Sequence, residues 1–95
     1  MIISVSTVSF SDYEKALELR RDVIHPVVKS FPGCKFCYFG KAVDGSDECV
    51  IIIGWETAID RENWSKCWAH DILKEKQWPL MDKTLSGKGY ELVLD

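Results

Sequence analysis

The chain has 95 residues, of which 46% are hydrophobic and 28% are charged, and its 15 acidic and 12 basic side chains give a net charge of −3. This composition is typical of a small globular domain, excludes a disordered or fibrous chain, and argues against a nucleic-acid partner, which requires a basic surface. No apolar run reaches the roughly 18 residues of a membrane span, and the N-terminus lacks the pattern of a signal peptide. We therefore expect one soluble, cytoplasmic domain over residues 1–95, without membrane contact.

The first third of the chain predicts a strand followed by a helix. Residues 1–9 alternate between β-branched and small side chains, which is typical of a strand. Ser11 is followed three positions later by Glu14, a spacing that predicts a capping box and the start of a helix. The apolar spacing continues to about Ser30, with a weak point at Pro26, which lacks an N–H donor.

The middle of the chain predicts a β-hairpin. Pro32-Gly33 ends the helix, and residues 35–43 form the second predicted strand. The sequence of residues 44–47, Asp-Gly-Ser-Asp, supplies the turn. Residues 49–55 form the third predicted strand, and because this segment is apolar on both faces we expect it to be central and covered on both sides.

The last third predicts a second helical stretch and a short strand. Residues 58–70 and 71 to about 83 have helical spacing, with a possible break near Asp71. Residues 86–89, Ser-Gly-Lys-Gly, are typical of a loop, and residues 90–94 form the last predicted strand.

The predicted order is β-α-β-β-α-β, so the predicted fold class is α+β, with a ferredoxin-like, antiparallel four-stranded sheet. Helices on one side leave the other face of the sheet bare, although the third strand is apolar there as well. A second copy of the chain could cover that face, and we therefore predict a homodimer.

The four cysteines could form two disulfides or part of a zinc site. Cys34-x-x-Cys37 and Cys67-x-x-His70 imitate a zinc ligand set in residue type and spacing. However, Cys37 falls within a predicted strand and Cys67 within a predicted helix, rather than in the turns that usually carry such ligands. We expect free thiols in a reducing compartment and no metal.

Four tryptophans in 95 residues suggest an aromatic pocket. Trp64 and Trp68 are spaced by four residues on one predicted helical face, and Trp78 can return to the same neighbourhood. A pocket lined by indoles between helices and sheet would suit a flat, aromatic, mostly apolar molecule. The alternative is that these rings only fill the core of a small domain.

Arg20 is the most informative single residue. It falls in the centre of the apolar face that includes Ile24, where an unpaired guanidinium would be costly to bury. In one hypothesis it holds a phenolate, enolate or carboxylate of a ligand. In the other it pairs with Asp22, Glu56 or Asp95 at the edge of the sheet.

Further polar side chains are candidates for the same pocket. His70 is the only histidine near the tryptophans and could accept a proton near neutral pH. Asn63 could donate to a developing oxyanion, although a helix-capping role for His70 is an alternative. Ser6 and Tyr38 could point hydroxyl groups into the pocket, whereas His25 is expected to be solvated.

Several segments together are similar to a known family. They are Phe31-Pro32-Gly33-Cys34, the strand Val50-Ile51-Ile52-Ile53-Gly54-Trp55-Glu56 after an Asp-Gly turn, the helix with Trp64, and Trp78-Pro79-Leu80-Met81. The chain resembles the antibiotic-biosynthesis-monooxygenase-like domains of the dimeric α+β barrel superfamily over nearly its whole length. The resemblance implies a homodimer with one pocket per subunit. Relatives include cofactor-independent quinone-forming monooxygenases, haem-degrading monooxygenases, polyketide cyclases and members without known activity.

Departures from the family pattern narrow the predicted function. The haem-degrading members carry an asparagine on the first strand and a haem-ligating histidine about ten residues after the tryptophan. Here the first strand has Ser4, Ser6 and Thr7 but no asparagine. Lys74 stands where the haem-ligating histidine would be expected, so haem degradation is disfavoured. We predict a cofactor-independent monooxygenase or cyclase acting on an aromatic or polyketide-like molecule. The alternative is a non-catalytic dimeric ligand-binding or stress-associated protein.

Overall fold

The computed structural model describes all 95 residues, except for the side chains of residues 83–85. The elements in chain order are β1 (Ile2–Phe10), α1 (Tyr13–Leu19), a π-helical segment (Arg20–Ile24), α2 (His25–Ser30), β2 (Cys34–Lys41), β3 (Glu48–Trp55), α3 (Ala58–Lys66), α4 (Trp68–Gln77), a 3₁₀ turn (Trp78–Leu80) and β4 (Met81–Glu91).

The four strands form one antiparallel sheet in the order β2-β3-β1-β4. β1 and β3 are the interior strands, and Val5 lies opposite Ile52 in their register. The helices pack against one face of this sheet. The predicted α+β, ferredoxin-like arrangement with an antiparallel sheet is therefore confirmed.

The core lies between the helices and one face of the sheet, because successive side chains of the interior strands point to opposite faces. On β3, Cys49, Ile51 and Trp55 point to the helices and are buried. Trp55 packs with Trp64 of α3, and Val28 of α2 belongs to the same buried cluster. Burying side chains of this size stabilises the fold by about 1.5–3 kcal/mol each.

The other face of the sheet has no helix over it, yet it remains apolar. The alternate residues of the interior strands, among them Val5, Val50 and Ile52, are only half-buried there. Tyr38 of β2 lies opposite Ile52 of β3 in the strand pairing, and it is 62% exposed. We call this surface, centred on these four residues, the open face of the sheet.

The first helical region begins one residue later than predicted and is not uniformly α-helical. The N-cap is Asp12, whose carboxylate accepts a hydrogen bond from the backbone N–H of Lys15, so the predicted Ser11–Glu14 capping box is wrong. The irregularity is a π-helical segment from Arg20 to Ile24, whereas Pro26, the predicted weak point, lies in the first turn of α2. Within the π-helical segment, the backbone N–H of His25 donates to the carbonyl of Arg20, five residues earlier.

The second helical region breaks at Cys67, rather than near Asp71. α3 begins with a capping box formed by Thr57 and Asp60, and Cys67 adopts an extended conformation with φ −74° and ψ 139°. α4 ends at Gln77, well before the predicted boundary near residue 83, because Pro79 follows in a 3₁₀ turn and the last strand begins directly afterwards.

The predicted loop at residues 86–89 is wrong, because these residues belong to β4, which also ends earlier than the predicted strand of residues 90–94. Gly87 pairs with Ser6 and Gly89 pairs with Ser4 of β1. A Cβ atom at Gly89 would lie 2.8 Å from the guanidinium carbon of Arg61, whose Nε donates to the hydroxyl of Ser4, so this side chain would have to shift. In the described part of the chain, no helix is long and apolar enough to cross a membrane.

Candidate functional site

A cavity of about 240 Å³ lies between the helices and the sheet. Its floor is formed by strand residues, including Ser6, Ile51 and Ile53, and its walls by residues of the π-helical segment, α2, α3 and α4. The exposed lining is mostly apolar, and we call this space the inner cavity. Its volume lies just below the range of about 300–1,000 Å³ for ligand pockets, which limits a guest to a few fused rings.

Arg20 lines the inner cavity and is only 4% exposed. Its Nε donates to Nε2 of His25 at 3.2 Å, and its Nη1 donates to Oε1 of Gln77. The guanidinium carbon also lies 5.5 Å from the centre of the Phe39 ring. Because both hydrogen-bond acceptors are neutral, the predicted pairing with Asp22, Glu56 or Asp95 is wrong, and burial lowers the pKa of Arg20 without removing its charge near neutral pH.

His25 is half-buried rather than solvated, because it packs against Arg20. Burial, together with the positive charges of Arg20 and Lys29, lowers the pKa of His25 to about 4. The ring is therefore neutral near pH 7. Since its Nε2 accepts a hydrogen bond, its proton resides on Nδ1.

His70 also lines the inner cavity, from the first turn of α4. Its ring meets the edge of Trp64 with a centroid distance of 5.5 Å, which restricts its orientation. Its Nδ1 is buried without a hydrogen-bond partner and lies 3.5 Å from the Asp71 carboxylate. The backbone N–H of Cys67, the N-cap of α4, donates to the carbonyl of Trp64, so the alternative role of His70 as a cap at this break finds no support.

The mouth of the inner cavity is formed by the end of α4 and the following 3₁₀ turn. Trp78 lines the cavity although its side chain is 65% exposed, as expected for a ring at an entrance. Gln77 holds Arg20 and also donates to the sulfur of Met81 at 3.7 Å. Sequence reasoning missed Gln77, although its spacing of seven residues from His70 places both on one face of a helix.

The structure brings six of the predicted site residues to the inner cavity: Arg20, His70, Trp64, Trp78, Ser6 and Ile24. It places three elsewhere. Asn63 is exposed on α3, and Trp68 is 74% exposed because the break at Cys67 removes the common helical face with Trp64. Tyr38 belongs to the open face, since its strand position alternates with that of buried Cys37.

A second cavity of about 330 Å³ lies on the outer side of Arg20, between the first helical region and β2. Arg21, His25 and Lys29 line it together with Arg20, and Cys37 and Phe39 contribute to its wall. We call it the outer cavity. Arg20 thus borders both cavities.

The four cysteines are unbridged. Cys34 and Cys37 lie on β2, whereas Cys67 lies between α3 and α4. Burial raises the pKa of the Cys37 thiol, which disfavours its reactive thiolate form. Within the described side chains, no group of three or more His, Cys, Asp or Glu residues is placed to hold a metal ion.

No protein-family model and no curated protein sequence matches this chain. Solved structures with the same fold do exist. A "putative antibiotic biosynthesis monooxygenase" from Deinococcus radiodurans matches with a TM-score of 0.82 and 18% identity, covering 100% of this chain and 95% of that one. A protein of the same name from Nitrosomonas europaea matches with a TM-score of 0.82 and 15% identity, covering 99% and 100%.

A protein from Arabidopsis thaliana also matches with a TM-score of 0.82, at 18% identity over 100% of this chain and 98% of that one. Identities this low establish the architecture and leave the chemistry open. The chain therefore has the antibiotic-biosynthesis-monooxygenase-like fold that its sequence resembles.

Proposed function

We propose that this protein is a cofactor-independent enzyme that binds a small aromatic or polyketide-like molecule in the inner cavity and oxygenates or cyclises it there. The observation that supports this proposal is the lining of the cavity, which combines apolar walls with one buried guanidinium and one imidazole. A flat apolar ring system would bury itself against Trp64 and Ile51. Its ionisable oxygen would be held by Arg20.

The proposed chemistry begins with proton removal. His70 takes a proton from an acidic carbon next to a ring carbonyl, and the Asp71 carboxylate, 3.5 Å from Nδ1, stabilises the imidazolium that forms. The negative charge spreads onto the carbonyl oxygen, where Arg20 stabilises it more strongly than in water because the site is buried. In this scheme Arg20 stabilises charge and His70 moves the proton.

The oxygenation version uses dioxygen as the oxidant. The substrate carbanion reduces O₂, one oxygen atom becomes the new ring carbonyl, and the other leaves as water with the two hydrogens of the former methylene group. The cyclisation version uses the same carbanion to attack a second carbonyl of the same molecule, without an oxidant. In both versions the carbanion itself supplies the electrons, so we propose no cofactor.

Binding is tested by tryptophan fluorescence with 1,8-dihydroxyanthrone as the probe. We expect saturable quenching, and we expect Trp78→Phe to reduce its amplitude because this ring stands at the cavity mouth. The matched control is Trp68→Phe, which removes an exposed indole outside the cavity and should leave the ligand-induced change intact. Equal losses in the two variants, or no saturable quenching, would contradict binding in the inner cavity.

Turnover is tested with the same probe by oxygen uptake and product absorbance. We expect His70→Gln to lower kcat by about a hundredfold, as is typical for loss of a general base, and Arg20→Met to weaken both affinity and rate. Circular dichroism verifies that the variants are folded. Tight binding without product in the wild-type protein would instead support the non-catalytic ligand-binding alternative.

We further propose that the protein works as a homodimer in the cytoplasm. The half-buried apolar side chains of the open face support the homodimer, because a second copy of the chain could cover them. The four unbridged cysteines fit a reducing compartment.

A further inference from the structure

We propose that the outer cavity is a binding site for a phosphate anion, either free or as the phosphate group of a small ester. The site shares Arg20 with the inner cavity, but its other lining residues are its own, and it does not depend on the reaction proposed for the inner cavity. Four basic side chains, Arg20, Arg21, His25 and Lys29, border a concave space of about 330 Å³. No acidic side chain is among the residues that line it.

The charge of Arg20 is the first step of the argument. A guanidinium that is 4% exposed normally pairs with a carboxylate, because burying a lone charge is costly. Here its hydrogen bonds to His25 and Gln77 go to neutral side chains. An anion in the outer cavity would supply the missing negative charge.

The other basic side chains of the outer cavity differ in how free their charge is to bind an anion. Arg21 already pairs with Asp22 through two hydrogen bonds of 2.8 and 3.1 Å, so it contributes little free charge. Lys29 is exposed and makes no ion pair with the residues that the structure describes. Arg20 and Lys29 are therefore the principal cations, and neutral His25 adds a donor at Nδ1.

The same two cations act on His25. Burial, and then the charges of Arg20 and Lys29, lower its pKa. A site in which neighbouring cations disfavour a further proton is one in which an anion is stabilised. The apolar wall at Leu17 and Phe39 leaves room for a small organic group next to the anion.

The test is an NMR titration of the two histidine rings at constant ionic strength. With inorganic phosphate as the probe, we expect the His25 resonances to shift saturably and its pKa to rise from about 4 towards its ordinary value. The His70 ring, which lines the inner cavity, serves as the internal control. Sodium chloride at the same ionic strength should not produce the saturable shift.

Two variants of exposed lysines make the test specific. Lys29→Gln should weaken phosphate binding about tenfold, the effect of losing one charge-assisted contact. Lys35→Gln, which removes a β2 lysine that pairs with Glu56 outside the cavity, should leave it unchanged. Tighter binding of phenyl phosphate than of inorganic phosphate would identify an ester as the ligand, and the reverse order would identify the free ion.

Three outcomes would overturn the proposal. They are the absence of a saturable shift up to tens of millimolar phosphate, an equal shift with chloride, and equal affinities in the Lys29→Gln and Lys35→Gln variants. None of them bears on the inner cavity, whose ligand is tested separately by fluorescence.

Discussion

Single residues carry most of the functional argument, and Arg20 is the clearest case. Its position on an apolar helical face could be predicted from spacing, and the structure indeed buries it. Its partners could not be predicted, because Gln77 is 57 residues away in the chain and reaches Arg20 only through the packing of α4. Spacing within one element predicts which residues share a face, whereas contacts between elements depend on the whole fold.

His25 provides a residue-scale prediction about pH. Its pKa is about 4 in the folded protein and about 6.5 when unfolded, so the unfolded chain binds the extra proton first as the pH falls. The stability that His25 contributes is present above pH 6.5 and is lost towards pH 4. In phosphate-free buffer, we expect a loss of about 1 kcal/mol between pH 7 and pH 5, allowing for solvent screening of this half-buried ring.

The matched variant for this prediction is His25→Gln, which keeps an acceptor for Arg20 but cannot titrate. Urea denaturation at the two pH values measures the difference between wild type and variant. Because the carboxylates titrate in both proteins, their contribution cancels. An identical pH dependence in the two proteins would show that His25 is not responsible.

At the scale of elements, the two interior strands could be predicted from the sequence pattern. The structure confirms strands near residues 1–9 and 49–55. The break at Cys67 could not be predicted, because helical spacing continues across it and no glycine or proline marks it. Residues 86–89 have the composition of a loop, yet Gly87 and Gly89 pair with Ser6 and Ser4 of β1 in the sheet. Long-range strand pairing overrides local preference here.

The connection between α2 and β2 yields a prediction at this scale. Gly33 has φ +88°, and a Cβ atom there would collide with the side chain of Asp60, which is part of the capping box of α3. Gly45 has φ +86° and open space around it, so it is a matched control. We expect Gly33→Ala to lower the free energy of unfolding by about 2–3 kcal/mol and Gly45→Ala by about 1 kcal/mol.

Urea denaturation of both glycine variants measures the difference between them. Since the φ angles of the two glycines are nearly the same, the excess loss at Gly33 reports the collision with α3. Equal losses in the two variants would mean that Asp60 moves aside at no cost.

At the scale of the whole molecule, its dimensions of 33 × 30 × 19 Å fit a single layer of helices on a single sheet. Such a two-layer arrangement can bury only one face of the sheet. The open face therefore remains the largest structural reason to expect a partner, and its apolar character could be predicted from β3 alone.

We expect the wild-type protein to sediment as a dimer and Ile52→Asp to sediment as a monomer, because a carboxylate in the centre of the open face would be buried without a partner. Tyr38→Asp, which changes a more exposed residue of the same face, should have the same effect without disturbing the fold. The control Val43→Asp alters a fully exposed side chain in the β2–β3 turn. Dissociation in the control as well, or persistent dimers in both face variants, would contradict this interface.

The π-helical segment has a consequence for how the first helical region can change. In an α-helix, successive side chains point about 100° apart around the axis. The wide π-helical turn of five residues therefore determines how the side chains of α1 are oriented relative to those of α2. Ala16 and Val28, which are both buried against the sheet, would point about 120° apart if the helix between them were regular. With one residue fewer, a regular helix would bring them to within about 20° of each other, so the wide turn absorbs one extra residue while both side chains face the sheet. Deleting one residue from this turn should therefore restore regular winding and keep both side chains buried.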